Sequence, residues 1–441
     1  MDSLRRGRSR PQAKNGEAAE AHHPEASADV AVAADSPAIE ADQAAQPIFE
    51  LPAAGVNENF SATDHDGGPP NDETIPSTDD GARPVNEMAD SGVVEDWRID
   101  VDGMTVEPRS TLDVLYGLSD KVARGELAEY QAMPLGFSPL DRSLAGGVRP
   151  GELVLIGGAQ GTGKTTLALQ MARNIALAGQ ASVLYVCFEH DDEYLLNRMI
   201  AMESVLGGPM PPTSGLRIQD VRREVLGTWM SQGAGDSAEL ADNPRLRPAM
   251  DRIARYGQGL FLMRGSQTTT TVATLRRLVQ SHRALAPERQ LVVFVDYLQK
   301  VPVIPDSANE TERITTVVNG LKDVALSEGV ALVSIVAADK EGLKASRLRN
   351  HHLRGSSAIN YEADVIMILN EKYHIVAKVN IEFNPYQAQR FRDWVVLTVE
   401  KNRSGSHSFD LEFEKHFEFS CFDPNGRQVQ EKLIEERLYS D

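Results

Sequence analysis

Residues 153–170 read LVLIGGAQGTGKTTLALQ. Four apolar residues, Leu153 to Ile156, lead into a glycine-rich turn, and the turn leads into a run with apolar residues at helical spacing. Gly158 and Gly163 bracket four residues and are followed by Lys164 and Thr165. That is the spacing of a phosphate-binding loop set between a strand and a helix. Each residue type has a task there. Glycines let backbone N–H groups wrap phosphate oxygens, and the helix N-terminus adds positive potential. Lys164 reaches the β- and γ-phosphates, and the Thr165 hydroxyl is a hard oxygen ligand for Mg²⁺. The stretch predicts that Gly158, Ala159, Gln160, Gly161, Thr162, Gly163, Lys164, Thr165 and Thr166 hold ATP.

Outward from this loop, short apolar runs recur: LVLI (153–156), VLYVCF (183–188), LFLM (260–263), LVVFV (291–295), ALVSIVA (331–337), VIMIL (365–369) and WVVLTVE (394–400). Helical patterns separate many of them, at 164–178, 192–204, 272–286 and 311–328. Continuous apolar strands alternating with helices predict an α/β fold whose mostly parallel sheet is covered on both faces. The later stretch SFDLEFEKHFEFSCFD alternates with period two and predicts a C-terminal antiparallel hairpin. Upstream, STLDVLYGLSDKVARGEL begins at Ser110 with a capping-type start and carries Leu112, Leu115, Val122 and Leu127. It predicts one amphipathic helix, with Gly117 as its candidate break.

Charge divides the chain. Residues 1–100 hold 21 acidic and 7 basic residues, against 43 and 38 in the remainder of the 441. The first hundred residues also lack hydrophobic periodicity, so they cannot offset the entropy of ordering the chain. Three regions follow: a disordered acidic tail over 1–105, a linker helix over 106–130, and one domain over 131–441. The basic N-terminus MDSLRRGRSR has no apolar stretch behind it, and no run approaches the ~18 residues of a membrane span. Cys187 and Cys421 lie in apolar runs without a CxxC partner, as core thiols of a reducing compartment do. These features predict a soluble cytoplasmic protein with no membrane partner.

A triphosphate site needs an acid for the metal and a base for water. LVVFVD, an apolar strand ending in Asp296, supplies the first. Glu189 follows VLYVCF, a strand expected beside the phosphate-binding one, and is the candidate base. One of the aspartates after it, Asp191 or Asp192, caps the next helix. The most basic stretch is DKEGLKASRLRNHHLRGSS (339–357), with Lys340, Lys344, Arg347, Arg349 and Arg354. With Gly355 to let backbone N–H groups approach phosphates, it is the candidate DNA-binding loop.

These blocks, in this order, resemble the C-terminal ATPase domain of DnaB-type replicative helicases, within the RecA-like ATPases. GFSPLDRSLAGGVRPGELVLIGGAQGTGKTTLALQMA is similar to the family's entry segment and phosphate-binding loop. VLYVCFEH matches its catalytic-glutamate strand, VDYLQ (295–299) its metal-binding strand, and LRGSSAINYEADVIMIL its DNA-loop segment. The resemblance implies that Asp296 handles Mg²⁺ and that Gln299 senses the γ-phosphate. EKNRSG (400–405) matches an element the family presents to a neighbour's nucleotide, which implies Lys401 and Arg403 as fingers acting in trans. It further implies an ATP-dependent helicase or translocase on single-stranded DNA, assembled as a ring, a hexamer, in DNA replication or a related transaction. The family's helical collar domain, which helps recruit primase, has no counterpart in residues 1–105, so a loader or primase partner stays open. The family's Ser-Gln pair is here Ser334-Ile335. Both departures keep a second reading: an ATP-dependent DNA-binding assembly factor or switch without processive unwinding.

Overall fold

The computed structural model describes residues 99–101, 104–127, 130–232, 240–305, 309–376, 389–406 and 408–434. Its centre is a ten-stranded sheet. Six strands are mutually parallel, in the spatial order β8 (Val365–Glu371), β3 (Leu153–Gly158), β7 (Ala331–Ala337), β6 (Gln290–Asp296), β4 (Ala181–Cys187) and β5 (Leu260–Arg264). β9 (Trp394–Asn402) pairs antiparallel with β8, and β10 (Phe409–His416) pairs antiparallel with β9. β10 then turns through Phe417–Phe419 into β11 (Cys421–Phe422), the expected hairpin, and also pairs with β12 (Arg427–Gln428).

Both faces of the parallel strands are covered because neighbouring side chains point to opposite sides. Val154 and Ile156 pack with α3 (Lys164–Ala178) and α4 (Asp192–Leu206), whereas Leu153 and Leu155 pack with α7 (Val272–Leu285) and α8 (Glu310–Ser327). β6 and β7 split in the same way, Phe294 and Val333 to one face and Val293 and Leu332 to the other. The predicted strands and helices are all present. Two helices between β4 and β5, α5 (Ile218–Gln232) and α6 (Arg247–Ala254), were not legible in the sequence; they pack with α4 around Ile200, Leu216, Val221 and Leu246. α9 (Ser356–Glu362) and the four-residue α10 (Lys372–Ile375) precede and follow β8.

Two expectations about the N-terminal part change. The segment read as tail ends in a short antiparallel pair, β1 (Ile99–Val101) with β2 (Met104–Val106); the rest of 1–105 lies outside the described residues. α1 (Thr111–Arg124) runs through Gly117 without a break. A reciprocal capping box between Ser110 and Asp113 starts it, and Gly125, at φ 71°, ends it. It buries none of its residues, and Leu112, Leu115 and Val122 are more than half exposed. Both cysteines are buried and unpaired. No helix among the described residues is long and apolar enough to cross a membrane.

Candidate nucleotide site and basic loop

The phosphate-binding loop lies where parallel strands end and helices begin, the edge at which such sheets bind ligands. β3 finishes at Gly158 and α3 starts at Lys164. Gly163 caps α3 at φ 92°, and a Cβ there would stand 2.4 Å from the Phe417 ring. Only glycine satisfies both the left-handed backbone and this close approach. The Lys164 ammonium donates to the Ala159 carbonyl at 2.8 Å, and the Thr162 hydroxyl donates to the same oxygen at 2.9 Å. Burial lowers the pKa of Lys164, and the carboxylates of Asp296 and Glu189 oppose that shift.

A cleft of ≈ 630 Å³ opens over the loop. Gly158, Gln160, Gly161, Gly163, Lys164, Thr165, Thr166, Glu189 and Asp296 line it, together with His190, Arg198, Tyr297, Ile335, Ala337, Ala338, Leu343 and Phe417. Glu189 thus shares one space with Lys164 and Asp296, 25 residues after the lysine and 107 before the aspartate in the chain. Asp191, not Asp192, caps α4, its carboxylate accepting from the Tyr194 amide at 2.7 Å. Asp296 is buried, which raises its pKa; hydrogen bonds from Thr165 and Tyr185 act the other way. Thr165 and Asp296 form a pair of hard oxygen donors at the mouth of the loop. That pair fits Mg²⁺, which keeps waters and phosphate oxygens for its other positions. No group of three or more His, Cys, Asp or Glu side chains that could cage a metal occurs among the described residues.

Arg198 was not singled out by any motif in the sequence. It stands on α4, and its guanidinium donates to the Thr166 hydroxyl and, at 2.8 Å, to the Ser420 hydroxyl. Its charge therefore sits over the first turn of α3, facing the phosphate site. Its nine-residue spacing from Glu189 is the one clue the sequence holds, and it acquires meaning only once α4 is seen to fold back over the loop.

Gln299 does not line the cleft. Its amide oxygen accepts from the Ala337 N–H at 3.2 Å and its amide nitrogen donates to the Arg354 carbonyl at 3.3 Å. It is joined to the cleft wall through Ala337 and to the basic loop through Arg354. Ile335 lines the cleft while Ser334 is buried, its hydroxyl donating to the Val295 carbonyl at 3.1 Å.

Of the loop cations, Lys340 and Lys344 are exposed and have no ion pair among the described residues. Arg354 is half exposed and pairs with Glu310; Arg349 is partly buried and pairs with Glu400 at 3.0 Å. Arg347 is a correction. Its side chain is 3 % exposed and held by Asp410 and the Thr398 hydroxyl, so it braces the loop against β9 and β10. Gly355 caps α9 at φ 88°, with Ile314 filling the place a Cβ would take.

Lys401 and Arg403 lie at the other edge of the sheet. Both donate to carbonyls at the end of α9, Lys401 to Asn360 and Arg403 to Tyr361, and Arg403 also meets the Asp364 carboxylate at 3.1 Å. Asp364 bonds to the first residue of β3, and the phosphate-binding loop begins past the last. Five strand steps of ~3.3 Å put the two sites roughly 16 Å apart along the sheet.

The family model described as DnaB-like helicase C terminal domain matches residues 132–226 and 230–421. The chain belongs to this family. Among relatives of the DnaB-like family, the replicative DNA helicase DnaB of Treponema pallidum (strain Nichols) is 27% identical over 293 residues, covering 66% of this chain and 56% of that protein. DnaB of Haemophilus influenzae is 24% identical over 270 residues, 59% of this chain and 52% of that protein. The chain thus spans about half the length of the relatives it matches. Two solved structures share the fold. One is an isolated ATPase domain, with a TM-score of 0.55 at 17% identity over 72% of this chain and 99% of that one. The other is a DnaB-like replicative helicase described with its interactions with primase, with a TM-score of 0.52 at 18% identity over 73% and 68%.

Proposed function

We propose that this chain is an ATP-hydrolysing motor of a ring, a hexamer, that moves on single-stranded DNA and unwinds duplex in DNA replication or a related transaction. One observation carries the reading: the cleft and the pair Lys401 and Arg403 occupy opposite edges of the same sheet, so these cations are placed to serve a neighbour's cleft and not their own. A neighbour rotated about a ring axis would supply Lys401 and Arg403 to this subunit's cleft and leave its own cleft to the next.

The chemistry follows from the side chains. Lys164 and the backbone of 158–163 hold the β- and γ-phosphates, and Thr165 and Asp296 hold Mg²⁺. When bound, the metal neutralises charge on the phosphate oxygens. Glu189 accepts the proton of the attacking water. Arg198 adds positive charge from its own subunit, and the neighbour's Lys401 and Arg403 meet charge that develops on the transferring phosphoryl group. Leu343 lines the cleft between Lys340 and Lys344, so the lysines that would hold the DNA backbone move with the nucleotide wall. α1, with an apolar face that nothing among the described residues buries, docks on the adjacent subunit and helps close the ring. Ile335 supports the second reading, an ATP-dependent assembly factor or switch, because the wall between nucleotide and loop lacks a polar side chain there. Directional strand displacement separates the two.

The test is complementation. Arg403→Ala should bind ATP and lose hydrolysis, and Lys164→Ala should lose nucleotide binding. Mixed, they form some interfaces with an intact loop and an intact finger, so part of the ATPase should return. Full ATPase from a monomeric Arg403→Ala protein, checked by sizing, would sink the ring.

A further inference from the structure

Asp296 shares the cleft wall with Thr165, from the first turn of α3, whose hydroxyl helps lower its pKa. The phenol of Tyr185 donates to Asp296 Oδ2 at 3.1 Å. Tyr185 stands on β4, paired in register with Phe294, while Cys187 pairs with Asp296 itself. The Tyr185 side chain is wholly buried, and its ring stacks on Phe294 with centroids 5.7 Å apart and planes 16° from parallel. Packing therefore fixes the ring, and the ring fixes the direction of its O–H. A phenylalanine would fill the same space, so the hydroxyl serves the carboxylate and not the core. The Cys187 sulfur lies 3.9 Å from the same oxygen, but a thiol is too weak a donor to take the phenol's place.

We propose that Tyr185 is a positioning residue for the metal: its phenol occupies one side of Oδ2 and turns the Asp296 carboxylate toward the Thr165 hydroxyl and the phosphate site. The affinity of the cleft for Mg²⁺ with nucleotide is then set partly by a strand residue that touches neither. This rests on the reading of the cleft as a site for ATP with Mg²⁺. Partners that orient a metal ligand commonly change metal affinity by 10–100-fold when removed.

The experiment measures binding of a fluorescent N-methylanthraniloyl ATP by the full chain, in EDTA and across a Mg²⁺ titration. Tyr185→Phe keeps the ring and its stacking partner, so the core is preserved. It should raise the Mg²⁺ concentration at half-saturation by about 10-fold and leave affinity in EDTA unchanged. A role in packing alone would weaken both alike. Asp296→Asn is the control. It should lose the Mg²⁺ dependence, and adding Tyr185→Phe to it should change nothing further, since the phenol would act only through that carboxylate. If Asp296→Asn keeps the wild-type Mg²⁺ dependence, the metal site itself is wrongly assigned. If Asp296→Asn loses it and Tyr185→Phe titrates like wild type, only the role of Tyr185 is overturned.

Discussion

Asp296 must be ionised to hold a cation, and its surroundings oppose that. Burial is the largest influence and raises its pKa above the ordinary carboxylate value; the hydroxyls of Thr165 and Tyr185 recover part of the shift. A carboxyl whose folded pKa is raised stabilises the fold while protonated, and that contribution is lost as pH rises through the folded pKa. Burial of this carboxyl thus works against the nucleotide-free fold as pH rises. Asp296→Asn keeps the shape and an acceptor for both hydroxyls while removing the charge. Its melting temperature without ligand should equal or exceed that of wild type, and the rise caused by ATP with Mg²⁺ should vanish. Differential scanning fluorimetry with and without ligand checks this, and a lower ligand-free melting temperature would contradict it. A stable but inactive variant is what a site strained for function produces.

At the scale of the element, the loop between β7 and α9 sorts its cations by burial. Removing Asp410 from Arg347 would leave a charge buried and unpaired, which costs ~3–5 kcal/mol. The exposed pair of Arg354 with Glu310 is worth ~0–1 kcal/mol, so a phosphate can displace Glu310. Lys340 and Lys344 have no such pair to break among the described residues. Replacing Lys340 and Lys344 with alanine should weaken single-strand binding at every sequence. It should also reduce the slope of log affinity against log salt by roughly 1.4, about 0.7 for each phosphate no longer neutralised. Arg347→Ala should instead lower the melting temperature. Titrations at several salt concentrations, beside thermal unfolding, separate the two effects; an unchanged salt slope in the double lysine variant would take this loop off the DNA. The chain order of these cations was readable from the sequence, but their division into braces and free charges was not. Arg347 meets an acid 63 positions later, and no local pattern announces a partner at that distance.

At the scale of the whole molecule, α1 stands out: its ends are well formed, yet among the described residues it has no buried side chain. An amphipathic helix of this length gains most of its stability from packing its apolar face. Leu112→Glu with Leu115→Glu should leave the unfolding of the ATPase domain unchanged, because neither side chain packs on it. It should also shift the sizing profile with nucleotide toward smaller species and lower ATPase in proportion. An unchanged oligomer would remove α1 from the subunit contact.

What the sequence determined alone was whatever contiguous residues can specify. The phosphate-binding loop needs its glycines, lysine and threonine within eight positions, and each strand and helix of the sheet carries its own periodicity, so both were legible before any contact was known. α5 and α6 were not, because no strand separates them from α4 or from each other, so the alternation of strand and helix that marked the other helices is missing there. Only the tertiary structure decided how charges are used. It brought Arg198 over Thr166, bonded Gln299 to the Arg354 carbonyl, and set Lys401 and Arg403 on the edge opposite their own chain's phosphate-binding loop. A side chain's charge is written at one position, but what it costs and what it touches depend on burial and on partners tens of residues away. Those are properties of the packed sheet and not of any stretch of the chain.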